Sequence, residues 1–469
     1  MNHLTTLDAG FLKVEDADRR ISLAIGGLAV IEGPPPNQEA LLAELVPRMS
    51  ACPRLGQRLR LRRFDLGAPQ WVNDPTFDVR RHVRRVALPQ PGDDQELFKV
   101  VADVMARRLN RDRPLWEIWV IEGLAGDRWA MLTKVHHCMA DGIAVTHMFA
   151  GLCDPDGTGL GDSFAHHIRA ARNSARDSKS AAATANPPGV LDGLWNLSTA
   201  ITVGAARAAR GAAEIAVGLL RPAPSPLNGP IGDLRRYSGA RVRMADIERV
   251  RRTFGVTVND VALAAITESY RAMLIDCGER PLPESLCTLV PVSMRSPDAF
   301  HETDNRVSVM LPRLPVDVEN PVERLRTVHA RLDRTKASGQ RQAGNAFVAM
   351  ANQLPFALTS WAFGLLSRLP QRGVVTVATN VPGPRRPLRV MGRRVLEVFP
   401  VPPIAMQLRT GVAMLSYADE LFFGILADYD GVPDVEQLAR GIEAAVARLV
   451  AISKRRKAPR TRGPLSLVV

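Results

Sequence analysis

The chain has 469 residues, too long for one ordinary hydrophobic core, and its 46% hydrophobic and 23% charged side chains are the balance of a globular protein with about two domains. Only 5% of residues are aromatic, which argues against an aromatic-rich nucleic-acid platform. A net charge of +13 favours anionic partners, phosphate-bearing cofactors, acidic headgroups or nucleic acid, without choosing among them. Five cysteines (Cys52, Cys138, Cys153, Cys277, Cys287) are scattered with no CxxC pair, so neither a zinc site nor a disulfide framework is signalled and a reducing compartment is the default.

In chain order, Met1 to Asp8 lacks the basic stretch and apolar run of a secretory signal. Pro114 to Ile121 and Arg128 to Val135 are β-like runs joined by Gly123-Leu124-Ala125-Gly126-Asp127, a hairpin signature. Folding that hairpin predicts Trp116 opposite roughly Val135. Val145, Met148, Phe149 and Leu152 then follow with helical spacing. Residues 154 to 188 lose apolar periodicity and read as a linker, and Val190 to Leu220 reads as one or two helices. Arg207, Arg210 and Glu214 interrupt the apolar stretch there, so it is too polar for a bilayer span.

Helices are predicted over Val258 to Leu274, Pro321 to Lys336 and 434 to 453, and strands over Leu286 to Arg295, Arg306 to Leu314, Gly373 to Val381 and Val395 to Val401. A second hairpin, Gln407 to Asp428, should turn near Ala418-Asp419-Glu420. Both halves mix sheet and helix, which predicts two α/β layered domains. The boundaries fall at 1–153 for the first lobe, 154–234 for the linker with its amphipathic helix, 235–453 for the second lobe and 454–469 for a basic tail.

Between the first hairpin and its helix lies His136-His137-Cys138-Met139-Ala140-Asp141-Gly142. Asp141 is placed to cap the helix, and Gly142 permits a backbone conformation or close approach that a side chain would forbid. A histidine of ordinary basicity can take a proton from a hydroxyl, and against a reactive thioester no enzyme nucleophile is needed. Successive residues face opposite ways in an extended segment, so only one histidine of the pair can meet a substrate. His166-His167 has Ala171 and Arg172 at the same offsets and reads as a solvated pair.

The His-His-x-x-x-Asp-Gly pattern resembles the motif of the chloramphenicol acetyltransferase-like and condensation-domain superfamily. The chain is similar to one branch in particular, the bacterial wax ester synthase/acyl-CoA:diacylglycerol acyltransferases. Leu7 to Leu12, Pro114-Leu115-Trp116, Leu227 to Ile231, Thr257 to Asp260, Val290 to Arg295 and Thr379 to Pro384 carry that resemblance across nearly the whole chain. It implies two chloramphenicol acetyltransferase-like lobes with a tunnel between them. His136, His137, Asp141 and Gly142 form the expected catalytic set, with His137 deprotonating the alcohol and Asp141 serving as an architectural anchor paired with Arg295.

The resemblance also implies substrate-side or supporting roles for Asn259, Asp260, Arg295, Pro114, Leu115 and Trp116. Helix capping is the competing account of the Asn-Asp pair, and core packing that of the tryptophan. The implied substrates are acyl-CoA as co-substrate and diacylglycerol, with a long-chain alcohol as second acceptor, and neither metal nor other cofactor nor nucleic acid is expected. Peripheral contact with the inner membrane face or lipid inclusions of the cytoplasm is implied as well. The chain departs from the family at Asp304-Asn305-Arg306 and in the early strand Arg20 to Gly27, which touches substrate preference more than reaction type. A carrier-protein-dependent acyltransferase and a catalytically silent lipid-binding protein are the alternative readings.

Overall fold

The computed structural model describes residues 3–50, 52–61, 67–155, 225–293, 307–337 and 373–455. Most of the predicted linker, the 190–220 helices, Arg295, Asp304-Asn305-Arg306, His166-His167 and the tail beyond Arg455 lie outside these residues.

The first half contains α1 (Thr6–Ala17), β1 (Ala24–Glu32), α2 (Gln38–Ser50), β2 (Gln57–Arg60), β3 (Gln70–Asn73), β4 (Val83–Ala87), α3 (Asp94–Ala106), β5 (Trp116–Leu124), β6 (Arg128–His136) and α4 (Gly142–Leu152). The second contains β7 (Arg235–Arg243), α5 (Met244–Phe254), α6 (Val258–Asp276), β8 (Thr288–Ser293), β9 (Val307–Met310), α7 (Pro321–Ala337), β10 (Thr376–Val381), β11 (Arg389–Val390), β12 (Arg393–Val401), β13 (Thr410–Tyr417), β14 (Glu420–Asp428) and α8 (Val435–Arg455). They build two six-stranded sheets, β11-β12-β1-β6-β5-β4 and β7-β14-β13-β10-β8-β9, with helices packed on each, and a two-stranded sheet of β2 and β3.

Both hairpins form where the turn residues place them. Trp116 pairs with Val135, and Gly123 takes φ +79° at the irregularity between Ile121 and Leu124, a conformation glycine adopts without Cβ cost. In the second hairpin Tyr417 pairs with Glu420, and Ala418 sits at φ +49° in the two-residue loop.

Strand β6 is buried along almost its whole length, so its sequence runs apolar without alternation. Thr133, Lys134 and His136 are its buried polar residues, and Lys134 is the long cationic one among them. Its ammonium donates to Val104 O at 2.6 Å and to Arg107 O, carbonyls at the C-terminal end of α3 that no helical partner satisfies. Burial drives its pKa down to about 8, against the opposing pull of Glu117 and Glu15.

One part of the domain division needs correction. Strands β11 and β12, assigned to the second lobe by sequence position, belong to the first sheet, where β12 runs antiparallel to β1 with Gly26 opposite Val401 and Gly27 opposite Pro400. A strand's apolar pattern is the same whichever sheet it joins, so the crossover leaves no local trace.

The crossing strand is seated on two glycines that are register partners, Gly239 on β7 and Gly424 on β14. A Cβ at Gly424 would overlap the Pro400 carbonyl, and one at Gly239 would stand 2.7 Å from the Phe399 ring. Edge-on contacts of Phe399 with Phe98 (5.6 Å) and Phe422 (5.0 Å), and of Phe98 with Tyr237 (5.3 Å), fill the junction. The Tyr237 hydroxyl donates to Pro400 O at 3.0 Å, which satisfies its one buried polar atom.

Candidate active site

The turn after β6 is held mainly by backbone hydrogen bonds. His136 N–H donates to Leu115 O (3.0 Å), His137 N–H to Leu23 O (2.9 Å) and Met139 N–H to His136 O (2.9 Å). Buried Asp141 then caps α4, its Oδ1 accepting from Ala144 N–H at 2.9 Å. Its expected partner, Arg295, lies outside the described residues. At Gly142 the requirement is close approach: a Cβ there would stand 3.0 Å from Val381 Cγ2 of β10.

The two histidines face opposite ways. The His136 ring is buried, with Nδ1 accepting from Cys138 N–H (3.1 Å) and Nε2 standing 3.4 Å from Glu15 Oε1. An Nδ1 that accepts carries no proton, so the neutral ring holds its hydrogen on Nε2, toward the carboxylate. His136, placed in the catalytic set by the resemblance, therefore has both nitrogens turned into the protein and orders the turn.

The His137 ring is half-buried and stacks on Phe11 of α1, centroids 4.3 Å apart and planes 21° apart. It lines a cavity of about 110 Å³ between the two sheets. One wall comes from Ile25, Gly26 and Gly27 of β1 and from Val145, Thr146 and Phe149 of α4. The other comes from Thr379 and Val381 of β10 and Ala413 and Leu415 of β13, while Val398, Pro400 and Val401 of β12, beside β1, and Pro402 and Pro403 complete the lining. The lining is mostly apolar, with the His137 ring at its edge.

Cys138 adjoins His137 in sequence but offers no nucleophile. Its thiol is buried, and burial together with the nearby Asp8 carboxylate pushes its pKa well above the usual thiol range, so the thiolate is suppressed.

The Pro114-Leu115-Trp116 segment is a buttress and not a pocket wall. Pro114 and Leu115 are buried, and Leu115 supplies the carbonyl that accepts from His136. The Trp116 indole N–H donates to Leu55 O at 2.8 Å and the ring stacks on His82 at 4.4 Å. That orientation commits it to the core, and it does not line the His137 cavity.

Asp260, expected in a supporting or substrate-side role, is fully buried. Its Oδ2 accepts from Thr257 N–H (2.8 Å) and from His329 Nδ1 of α7 (2.8 Å), while Thr257 Oγ1 accepts from Asp260 N–H. This is a capping box that joins α6 to α7. Asn259, one residue earlier, points the other way: its Oδ1 accepts from Asn380 Nδ2 at 3.4 Å, beside the Thr379 and Val381 wall of the cavity.

Two side chains that touch the histidines, Phe11 and Glu15, were given no role in the sequence reading. Phe11 lies in the Leu7 to Leu12 segment that carries the resemblance; Glu15 lies just beyond it. Burial pushes the Glu15 carboxyl upward, but the His136 N–H that faces it and the hydrogen bonds from Arg111 and the Leu23 N–H outweigh burial and hold the pKa at about 2.

The chain matches two family models, the wax ester synthase/diacylglycerol acyltransferase catalytic domain over residues 4–262 and the WS/DGAT C-terminal domain over 303–449. A Mycobacterium tuberculosis H37Rv protein named "Probable diacyglycerol O-acyltransferase tgs1" is 67% identical over 100% of both chains. A second relative from that strain, with a name of the same kind, is 43% identical over 97% of this chain and 92% of its own. Among solved structures, the wax ester synthase/diacylglycerol acyltransferase from Marinobacter aquaeolei VT8 is similar at TM-score 0.67 and 27% identity, over 96% of this chain and 100% of that one. The first condensation domain of the CDA synthetase shares the fold at TM-score 0.59 and 16% identity, over 97% and 96% of the two chains. The chain belongs to the wax ester synthase/diacylglycerol acyltransferase family.

Proposed function

We propose that this protein transfers a long-chain acyl group from acyl-CoA to the free hydroxyl of diacylglycerol, giving triacylglycerol, and that long-chain alcohols are a second acceptor class. The observation that carries this reading is the His137 ring set on the wall of an apolar cavity lined from both sheets. An alkyl chain fits that lining, and a neutral imidazole at its edge is the one group there suited to take a hydroxyl proton.

In the proposed reaction His137 removes the proton as the alcohol oxygen attacks the thioester carbonyl. The carbon–sulfur bond then breaks, and the imidazolium returns the proton to the departing CoA thiolate. Asp141 and Gly142 set the turn and the helix that follow the base, and Asn259 with Asn380 borders the opposite wall. The excess positive charge serves CoA phosphates and a peripheral contact with anionic lipid on the cytoplasmic side. No helix among the described residues is long and apolar enough to cross a membrane.

The test is to supply palmitoyl-CoA or the same acyl group on a carrier protein, with diacylglycerol or hexadecanol as acceptor, and to identify the lipid formed. Triacylglycerol from the CoA donor is the expected main product, with wax ester second. Product from the carrier-bound donor alone would overturn the reading in favour of a condensation-type enzyme.

A further inference from the structure

Helix α1 touches the catalytic turn twice, through residues one helical turn apart on the same face. Phe11 stacks on the His137 ring, and Glu15 reaches the backbone and side chain on either side of it. The Glu15 contacts converge. Its Oε1 accepts from Leu23 N–H at 3.1 Å, and Leu23 returns its own carbonyl to His137 N–H at 2.9 Å. The same Oε1 stands 3.4 Å from Nε2 of His136, the residue before the base, whose Nδ1 accepts from Cys138 N–H, the residue after it.

We propose that Glu15 is a positioning residue for acyl transfer: its carboxylate fixes the residues flanking His137 through Leu23 and His136, and so sets where the base stands. This rests on His137 acting as the base.

Glu15 is fitted to that role because it is ionised and occupied on every side. Its Oε2 accepts from Arg111 Nη2 at 2.7 Å, and Arg111 also pairs with Asp16 at 2.6 Å on the outside of the helix. Arg111 thus balances the buried charge, while Oε1 is left to the turn. A carboxylate needed only to neutralise Arg111 would have no reason to accept the Leu23 N–H or to face His136. The arrangement also accounts for the tautomer, since an acceptor opposite Nε2 favours the hydrogen there and leaves Nδ1 bare for Cys138 N–H.

The role is separable from a general contribution to stability. Glu15→Gln loses the charge but keeps a side-chain oxygen able to accept from Leu23 and His136; Glu15→Ala loses both. With activity normalised to folded protein by circular dichroism, Glu15→Ala is expected to lower kcat about 30-fold while KM for palmitoyl-CoA stays within about twofold, the pattern of a misplaced base. Glu15→Gln should keep kcat within about fivefold, although both variants lose the ion pair with Arg111 and melt lower.

If Glu15→Ala does not fold, the Glu15→Leu/Arg111→Leu pair removes both charges together and should show the same loss in kcat. Unchanged kcat per folded molecule in these acceptor-free variants, a loss confined to KM, or Glu15→Gln as impaired as Glu15→Ala would overturn the proposal. Wild-type protein that forms no product would instead refute the acyltransferase reading itself.

Discussion

His137→Gln is expected to lower kcat by roughly 10²- to 10⁴-fold, the range a positioned general base contributes, with the fold retained. Glutamine keeps a polar side chain on the cavity wall but cannot take up a proton. The loss should fall on kcat more than on KM, because the substitution leaves the apolar lining of Val145, Phe149, Val381 and Leu415 in place. Initial rates normalised to folded protein by near-ultraviolet circular dichroism would measure it. Wild-type turnover in that variant would remove His137 from the chemistry. His136 is buried with Nδ1 accepting from Cys138 N–H and Nε2 facing Glu15, and it does not line the cavity.

Gly424→Ala is expected to have the largest effect on folding. The added Cβ meets the Pro400 carbonyl, a backbone atom of the crossing strand that cannot swing aside as a side-chain end can. Overpacking a tight core typically costs 1–3 kcal/mol, and with backbone on both sides of the clash about 3 kcal/mol is expected. Pro400 to Pro403 also line the His137 cavity, so a displaced β12 should impair activity even in the molecules that remain folded. Urea unfolding midpoints would read the stability change. Gly151→Ala is the matched control: a Cβ there meets nothing within 4 Å on an exposed helical position, and a gain of about 0.5–1 kcal/mol is expected. Equal midpoints for the two variants would contradict the packing account.

What was legible in the sequence is what local pattern determines. The turn residues at 123–127 and 418–420 fixed two hairpins, and the pairing of Trp116 with Val135 followed from the first. Asp141 announced a helix start, and the alternation of neighbouring side chains implied that only one histidine could face a substrate. Long-range partners left no such mark. The β12 crossover depends on glycines at 239 and 424 that are ordinary in isolation, and Glu15 meets His136 only because α1 lies against Leu23, ahead of β1, and the end of β6.

Residue roles were ambiguous where one motif serves two ends. In Asn259-Asp260 the two side chains project in different directions from the helix start, so the aspartate closes a capping box while the asparagine borders the cavity. In Pro114-Leu115-Trp116 the buried indole is decided by its partners, Leu55 O and His82, neither of which is near in sequence.

The central claim is direct transfer, with His137 moving a proton and no acyl group ever bonded to the protein. It is tested most directly by one single-turnover reaction of wild-type protein with palmitoyl-CoA and diacylglycerol, quenched at successive times and followed by lipid analysis and intact-protein mass. Direct transfer requires triacylglycerol and free CoA to appear together while the protein mass stays unchanged. A transient acyl adduct on the protein, formed before triacylglycerol and consumed as it accumulates, would contradict it.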